Sequence, residues 1–89
     1  MSLRVHHIKT FADNSHEILF KGTSADFDYI AGRLKMEKDV QVFERKSKGD
    51  DIFTAMLAKG SAANPLTRAR VIELLNADPE IELTDTATN

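Results

Sequence analysis

The stretch LFKGTSAD (residues 19–26) has a near copy in LAKGSAAN (residues 57–64), and this echo decides the predicted fold. A shift of 38 positions aligns five identical residues in this part of the chain, including the Lys-Gly step of both stretches. Small residues follow each step, and then comes Asp26 or Asn64, a type of side chain that caps helices. We therefore interpret both stretches as corners where a strand ends and a helix begins.

The residues around the first corner predict two strands and a helix. RVHHIKTF (4–11) and EILFKG (17–22) are rich in strand-forming residues, and the ADNSH segment between them favours a turn, so the pair predicts a hairpin. A helical period begins near residue 24, with Ser24 or Asp26 as the expected N-cap. Its apolar positions, spaced as on one helix face, are Phe27, Ile30, Ala31 and Leu34.

The second half is ambiguous at one segment. DVQVFERK (39–46) predicts a third strand, but DIFTAMLAKG (51–60) has the composition of a short helix. If the echo reflects a structural repeat, AMLAKG corresponds to ILFKG and is a fourth strand. Otherwise the segment is a helix, and two helices flank GSAAN as in a helix-turn-helix, with Arg68 and Arg70 on the second helix. A clearer helix follows, with Asn64 as N-cap and Pro65 at its first position.

These elements predict an α+β fold in the order ββαββα, with a short last strand in EIELT (80–84). We expect a mostly antiparallel sheet of four to five strands, two helices on one face, and an internal ββα pseudo-repeat. Residues 1–84 are predicted to form one domain, and residues 85–89 a loose tail.

Composition excludes several classes of protein. The chain has 89 residues, no cysteine and a net charge of −2, so it has no disulfide framework and no cysteine chemistry. Its longest apolar run, AMLA (55–58), is far shorter than the ~20 residues that span a bilayer. All twelve Lys and Arg precede Val71, and the remainder carries five acids. We expect a cytoplasmic domain with no membrane partner.

No pattern in the sequence predicts chemistry. His6 and His7 point to opposite faces of a strand and cannot easily share a metal ion with His16. Ser15, His16 and Glu17 are consecutive, whereas the members of a catalytic triad converge in space. The glycines match neither a phosphate-binding loop nor a dinucleotide fingerprint. We expect no catalytic residue, cofactor or metal, and no enzymatic activity.

The leading functional prediction is a small protein-interaction or regulatory module. A sheet with helices on one side leaves its other face open, and the predicted partner surface there is Leu19, Phe43 and Leu57. A protein partner or a homodimer would cover it. The alternative is a nucleic-acid-binding regulatory domain, because a basic region lies between residues 33 and 48. The predicted nucleic-acid contacts are Arg33, Lys35, Arg45, Lys46 and Lys48.

Overall fold

Five strands and three helices follow one another in the computed structural model, which describes residues 3–45 and 54–88. They are, in order, β1 (Leu3–Thr10), β2 (His16–Phe20), α1 (Ser24–Lys35), β3 (Gln41–Arg45), β4 (Thr54–Lys59), α2 (Arg68–Asn76), β5 (Ile81–Leu83) and α3 (Asp85–Thr88). The fold is α+β, with a five-stranded mixed sheet among these residues. None of their helices is long and apolar enough to cross a bilayer.

The strands lie in the order β3-β4-β2-β1-β5. Three neighbouring pairs are antiparallel, but β5 runs parallel to β1, which makes the sheet mixed rather than antiparallel throughout. The reason is the connection through α2, since a helix between two strands brings the chain back in the same direction. The β1–β2 pair also contains a bulge between Val5 and His7, where β1 has one residue more than its partner.

The ambiguous segment is a strand from Thr54 to Lys59, as the echo predicted and its composition did not. Met56 and Ala58 are buried, and β4 pairs with a neighbour on each side. Burial between two strands outweighs the helix preference of Ala, Met and Leu, because tertiary context decides such short segments.

One hydrophobic core joins the sheet to both longer helices. The even-numbered side chains of β2 are buried, and Ile30 of α1 and Leu75 of α2 belong to the same apolar cluster as Ile18. The other buried apolar members are Leu3, Val5, Ile8, Phe20, Leu34, Met56, Ala58, Leu66, Val71, Leu74, Ile81 and Ala87.

The predicted caps are wrong at both helices. Thr23 caps α1: its hydroxyl accepts from the Asp26 amide, and the Asp26 carboxylate accepts from the Thr23 amide at 2.8 Å, so Asp26 completes a capping box. At α2 the cap is Thr67 rather than Asn64. Asn64 instead donates its side-chain amide to Asp39 at 2.6 Å, which holds the segment before α2 out of the helix.

Close packing explains the glycine of both Lys-Gly steps. A Cβ on Gly22 would collide with the side chain of Asp26, and a Cβ on Gly60 would lie 2.5 Å from the Asn64 carbonyl oxygen. Neither Gly22 nor Gly60 has a φ in the left-handed range, so the turn geometry itself does not demand glycine. In both copies, therefore, glycine leaves room for the residue four positions later.

The central strand pair is symmetric under the shift of 38 residues. Ile18 lies opposite Met56, the residue 38 positions later, and the ends of β2 and β4 exchange places in the same way. Each of these two strands has one further antiparallel neighbour, β1 beside β2 and β3 beside β4.

The C-terminal segment is ordered by contacts with the body of the protein. Residues 85–88 form α3 where the sequence predicted a loose tail, and Ala87 is buried. The guanidinium of Arg68 donates to the Ala87 carbonyl at 3.1 Å and also to the Ile8 carbonyl. Arg68 thereby joins α2, β1 and α3.

Candidate interaction surface

The two faces of the sheet differ in burial. On β2, His16, Ile18 and Phe20 are buried, while Glu17 and Leu19 between them are partly exposed. Because successive side chains of a strand point to opposite faces, the even positions of β2 face the core and the odd positions face away. We call the sheet surface that carries Leu19 the open face.

The open face brings together the three residues predicted for a partner surface. Phe43 lies directly opposite Leu57, and Leu19 lies opposite Ala55, two residues along β4 from Leu57. Opposite residues have Cβ atoms about 4.5–5.5 Å apart, so Phe43 and Leu57 are direct neighbours, and Leu19 is a diagonal neighbour of Leu57 at about 7–8 Å. Phe43 is 50% exposed, the largest apolar exposure on this face among the described residues, while Leu19 and Leu57 are partly exposed.

Polar residues of both charges surround this apolar cluster. Glu17 lies opposite Leu57 on one side and opposite Lys9 on the other. Lys59, two residues along β4 from Leu57, lies opposite Gln41. The open face is therefore an apolar centre with a mixed polar margin, the distribution typical of interfaces that form between folded partners.

A shallow depression of about 460 Å³ borders the apolar cluster at Leu57. Phe11 lines it, and the ammonium of Lys9 lies 5.2 Å from the centre of the Phe11 ring, within cation–π range. Neither Lys9 nor Phe11 was predicted from the sequence. Positions 7, 9 and 11 alternate toward the open face, and that alternation could have identified them.

Asp13, which also lines this depression, forms an ion pair. Asp13 lies 3.7 Å from Lys59, and it accepts hydrogen bonds from the Ser15 hydroxyl at 2.6 Å and from the Ser15 amide at 3.0 Å. The two bonds from Ser15, with a smaller effect of Lys59, lower the pKa of Asp13 below its usual value. Asp13 therefore stays ionised here, and the Ser15 hydroxyl is committed as a donor.

The predicted nucleic-acid contacts are not gathered at one site in the described residues. The Nε atom of Arg33 lies 3.5 Å from the Asp78 carboxylate, at the turn before β5. Arg45 ends β3 at the opposite margin of the sheet. Lys35 is exposed on α1, and Lys46 and Lys48 lie outside the described residues.

The histidines have structural surroundings. His16 is fully buried: its Nε2 donates to the Leu66 carbonyl at 2.6 Å, and its Nδ1 bonds the Thr10 hydroxyl at 2.9 Å. His6 and His7 are half-buried on β1. Within residues 3–45 and 54–88, no group of three His, Cys, Asp or Glu side chains could hold a metal ion.

A second polar cluster, which the sequence did not predict, lies between α1 and the turn before β5. The Tyr29 hydroxyl donates to buried Asp78 at 2.6 Å, and the Glu80 amide donates to the same carboxylate at 2.8 Å. The Tyr29 bond is the main cause of the lowered pKa of Asp78, and the same bond raises the pKa of Tyr29. The cluster joins two elements 49 residues apart in sequence, and no local pattern indicates it.

Comparison with protein families, with curated proteins and with solved structures found no match to this chain. Any functional conclusion therefore depends on the geometry of the open face.

Proposed function

We propose that this chain is a small protein-interaction module, regulatory rather than catalytic, that binds its partner through the open face. The observation that carries the proposal is the exposed ring of Phe43, which lies opposite Leu57 on the side of the sheet away from the core. Aromatic residues at the centre of an apolar cluster contribute most to binding at protein interfaces. A cytoplasmic location belongs to this proposal and is supported by the absence of cysteine.

The mixed charges at the margin favour a protein partner. Lys9, Glu17 and Lys59 provide both signs around the apolar centre, so the open face has no single-signed potential. Such a margin fixes the orientation of a partner and adds little affinity, whereas the apolar centre supplies the affinity.

A matched pair of variants tests this function. Leu57→Lys places a charge in the apolar centre, and Lys35→Ala changes an exposed residue of α1. We expect wild type and Lys35→Ala to bind the same partner. That partner is either a second copy, detected by sedimentation equilibrium, or one particular protein that both retain from an extract of the source cells. Leu57→Lys should lose that association while keeping its circular dichroism spectrum.

The proposal fails if the wild-type protein neither self-associates nor retains any protein that Leu57→Lys loses. It also fails if Lys35→Ala and Leu57→Lys behave alike, because the association would then not involve the open face.

Nucleic-acid binding is the second candidate function. Phe43 is an exposed aromatic residue two positions from Arg45 on β3, and an aromatic ring near basic residues can stack on an unpaired base. A fluorescent single-stranded oligonucleotide at low salt should show an anisotropy change that salt suppresses and that Arg45→Ala with Lys46→Ala and Lys48→Ala weakens. Absence of any anisotropy change at low salt would exclude this function.

We also propose that the two ββα units are an internal repeat. The support is the β2–β4 register, in which Ile18 lies opposite its own equivalent, Met56, and the shared approach of glycine to the residue four positions later. In this repeat β1 and β3 are equivalent strands.

A further inference from the structure

Strand β3 forms one margin of the sheet and lacks several of the features that usually protect an exposed strand edge. It contains no proline or glycine, and its register with β4 is regular from Gln41 to Arg45. The other margin, β5, has only three residues and begins two positions after Pro79. Short strands, prolines, bulges and charged side chains are common means of preventing edge pairing, and of these β3 has only the opposite charges of Glu44 and Arg45. The β3 margin therefore remains competent to pair with another strand.

The equivalent strand of the repeat shows that such an edge can be occupied. The side of β1 away from β2 pairs with β5, through Leu3 opposite Ile81 and Val5 opposite Leu83. The corresponding side of β3 has no strand beside it in the part of the chain that the structure describes. Within residues 3–45 and 54–88, the two halves thus differ by one strand.

The hydrogen-bond pattern identifies the backbone groups that β3 presents outward. The Phe11 amide donates to the Ser15 carbonyl at 2.9 Å, which continues the β1–β2 ladder. Hydrogen-bonded and non-hydrogen-bonded pairs alternate along an antiparallel ladder, and each strand alternates between its two neighbours. The alternation continues from the β1–β2 pair to the β2–β4 pair and from there to the β3–β4 pair. In the β3–β4 pair it makes Phe43 and Leu57 a hydrogen-bonded pair. The N–H and C=O groups of Val42 and Glu44 therefore point away from β4.

We propose that the partner of the open face is a second copy of this chain, which adds its own β3 antiparallel to this one in a register centred on Phe43. This inference rests on the proposed function and specifies its partner. Two five-residue strands pair along their full length only in this register, because Phe43 is the middle residue of β3. Val42 of each copy then lies opposite Glu44 of the other, and their outward backbone groups can bond.

Charge supports the same register. It places Gln41 opposite Arg45 and brings no two like charges together. Sliding the strands to centre on Glu44 would set two carboxylates directly opposite each other, which is unfavourable. Centring on Val42 would extend the pairing beyond β3 to Asp39, whose φ of 64° is outside strand geometry.

The side chains of the open face would continue across this junction. The two Phe43 rings would form a non-hydrogen-bonded pair, the type in which opposite side chains are closest. Leu57 lies beside Phe43 in each copy, so one apolar band would cross the junction. The contact is small compared with the roughly 1,200–2,000 Å² of standard interfaces, so we expect a dimer that dissociates on dilution into the micromolar range.

Cysteine cross-linking tests the register, because the natural chain contains no cysteine. In the proposed dimer the Cα atoms of residue 41 in one copy and residue 45 in the other are about 4.5 Å apart, within disulfide range. The two residues 41 are about 14 Å apart. Under mild oxidation an equimolar mixture of Gln41→Cys and Arg45→Cys, which keeps Phe43, should therefore form a covalent dimer at least about tenfold faster than Gln41→Cys alone. Equal rates would overturn the register.

Substitutions of Glu44 test whether the edge of β3 pairs with a second copy. Glu44→Pro removes an N–H that points away from β4, which an edge strand tolerates, while Glu44→Ala removes only the side chain. Sedimentation equilibrium should give a dimer for wild type and Glu44→Ala and a folded monomer for Glu44→Pro. A wild type that stays monomeric at about 1 mM overturns the proposal, since edge pairing of this size should be populated there.

The same measurements separate this inference from the proposed function. If Glu44→Pro dimerises as wild type does and Leu57→Lys is monomeric, the open face binds a second copy in another way, so the edge pairing is wrong and the proposed function stands. If wild type is monomeric but binds a different protein that Leu57→Lys loses, only the choice of a second copy is wrong.

Discussion

Replacing His16 with leucine should destabilise the protein strongly, because the ring holds two hydrogen bonds at a fully buried position. Its Nε2 donates to the Leu66 carbonyl at 2.6 Å, and its Nδ1 bonds the Thr10 hydroxyl at 2.9 Å. Leucine fills most of the space but offers no donor. The Leu66 carbonyl, in the segment that leads into α2, would then be buried without this partner.

The expected magnitude follows from these two bonds. A buried acceptor left without a donor costs about 1–3 kcal/mol, and the loss of the bond to Thr10 adds about 0.5–1.5 kcal/mol. We expect His16→Leu to lower the free energy of unfolding by about 2–4 kcal/mol, a large part of the ~4–13 kcal/mol typical of a domain of this length. At ~4–8 °C per kcal/mol, the melting temperature should fall by roughly 8–32 °C.

Urea denaturation followed by circular dichroism measures this change, and two variants separate the bonds. Thr10→Val removes the partner of Nδ1 together with an acceptor of the Arg68 guanidinium, and at this exposed residue it should cost about 0.5–1.5 kcal/mol, less than His16→Leu. His16→Gln keeps a side-chain N–H that can reach the Leu66 carbonyl, so its stability should lie between wild type and His16→Leu. A His16→Leu protein within about 0.5 kcal/mol of wild type, at an unchanged m value, would refute the role of the buried carbonyl.

Three further predictions concern single side chains, and urea denaturation measures each of them. Gly60→Ala should be destabilising, because the added Cβ would lie 2.5 Å from backbone atoms. Gly32→Ala should instead stabilise α1 by about 0.5–1 kcal/mol, because no atom lies within 4 Å of the added Cβ. Equal effects of the two substitutions would contradict the packing explanation. Asp39 has φ 64°, so Asp39→Gly should be more stable than Asp39→Ala by about 1 kcal/mol, and the reverse order would exclude backbone strain there. Because the folded-state pKa of Asp78 is depressed, its stabilisation is present above pH ~4 and is lost as pH falls through that pKa. Tyr29→Phe should therefore cost more stability at pH 7 than in acid below that pKa, and a pH-independent difference would rule out this linkage.

The sequence could predict those parts of the fold that depend on spacing. Leu19 and Leu57 were predicted for the sheet face away from the helices, and the register of β2 with β4 puts both on the same face, opposite Ala55 and Glu17. The shift also identified β4, whose composition favours a helix. The shift succeeded there because the two strands that it aligns, β2 and β4, both lie inside the sheet between two neighbouring strands.

Other features depend on contacts between distant residues and have no local pattern. Asn64 looks like a helix cap, but Asp39 binds its amide, and that competition moves the start of α2 to Arg68. Likewise, the buried environment of His16 arises from Leu66, 50 residues away. The parallel position of β5 follows from how α2 crosses the sheet, which spacing along the chain does not specify.

The bulge in β1 determines where the length of this strand can change. Between Val5 and His7 the strand advances two residues while β2 advances one, so one residue is surplus to the pairing. Deleting His6 would restore one-to-one pairing and keep Val5 and Ile8 on the core side. Deleting a residue between positions 7 and 10 would instead reverse the facing of the rest of the strand. Related sequences one residue shorter should therefore carry their gap at position 6, and a comparison of such sequences could locate the bulge without a structure.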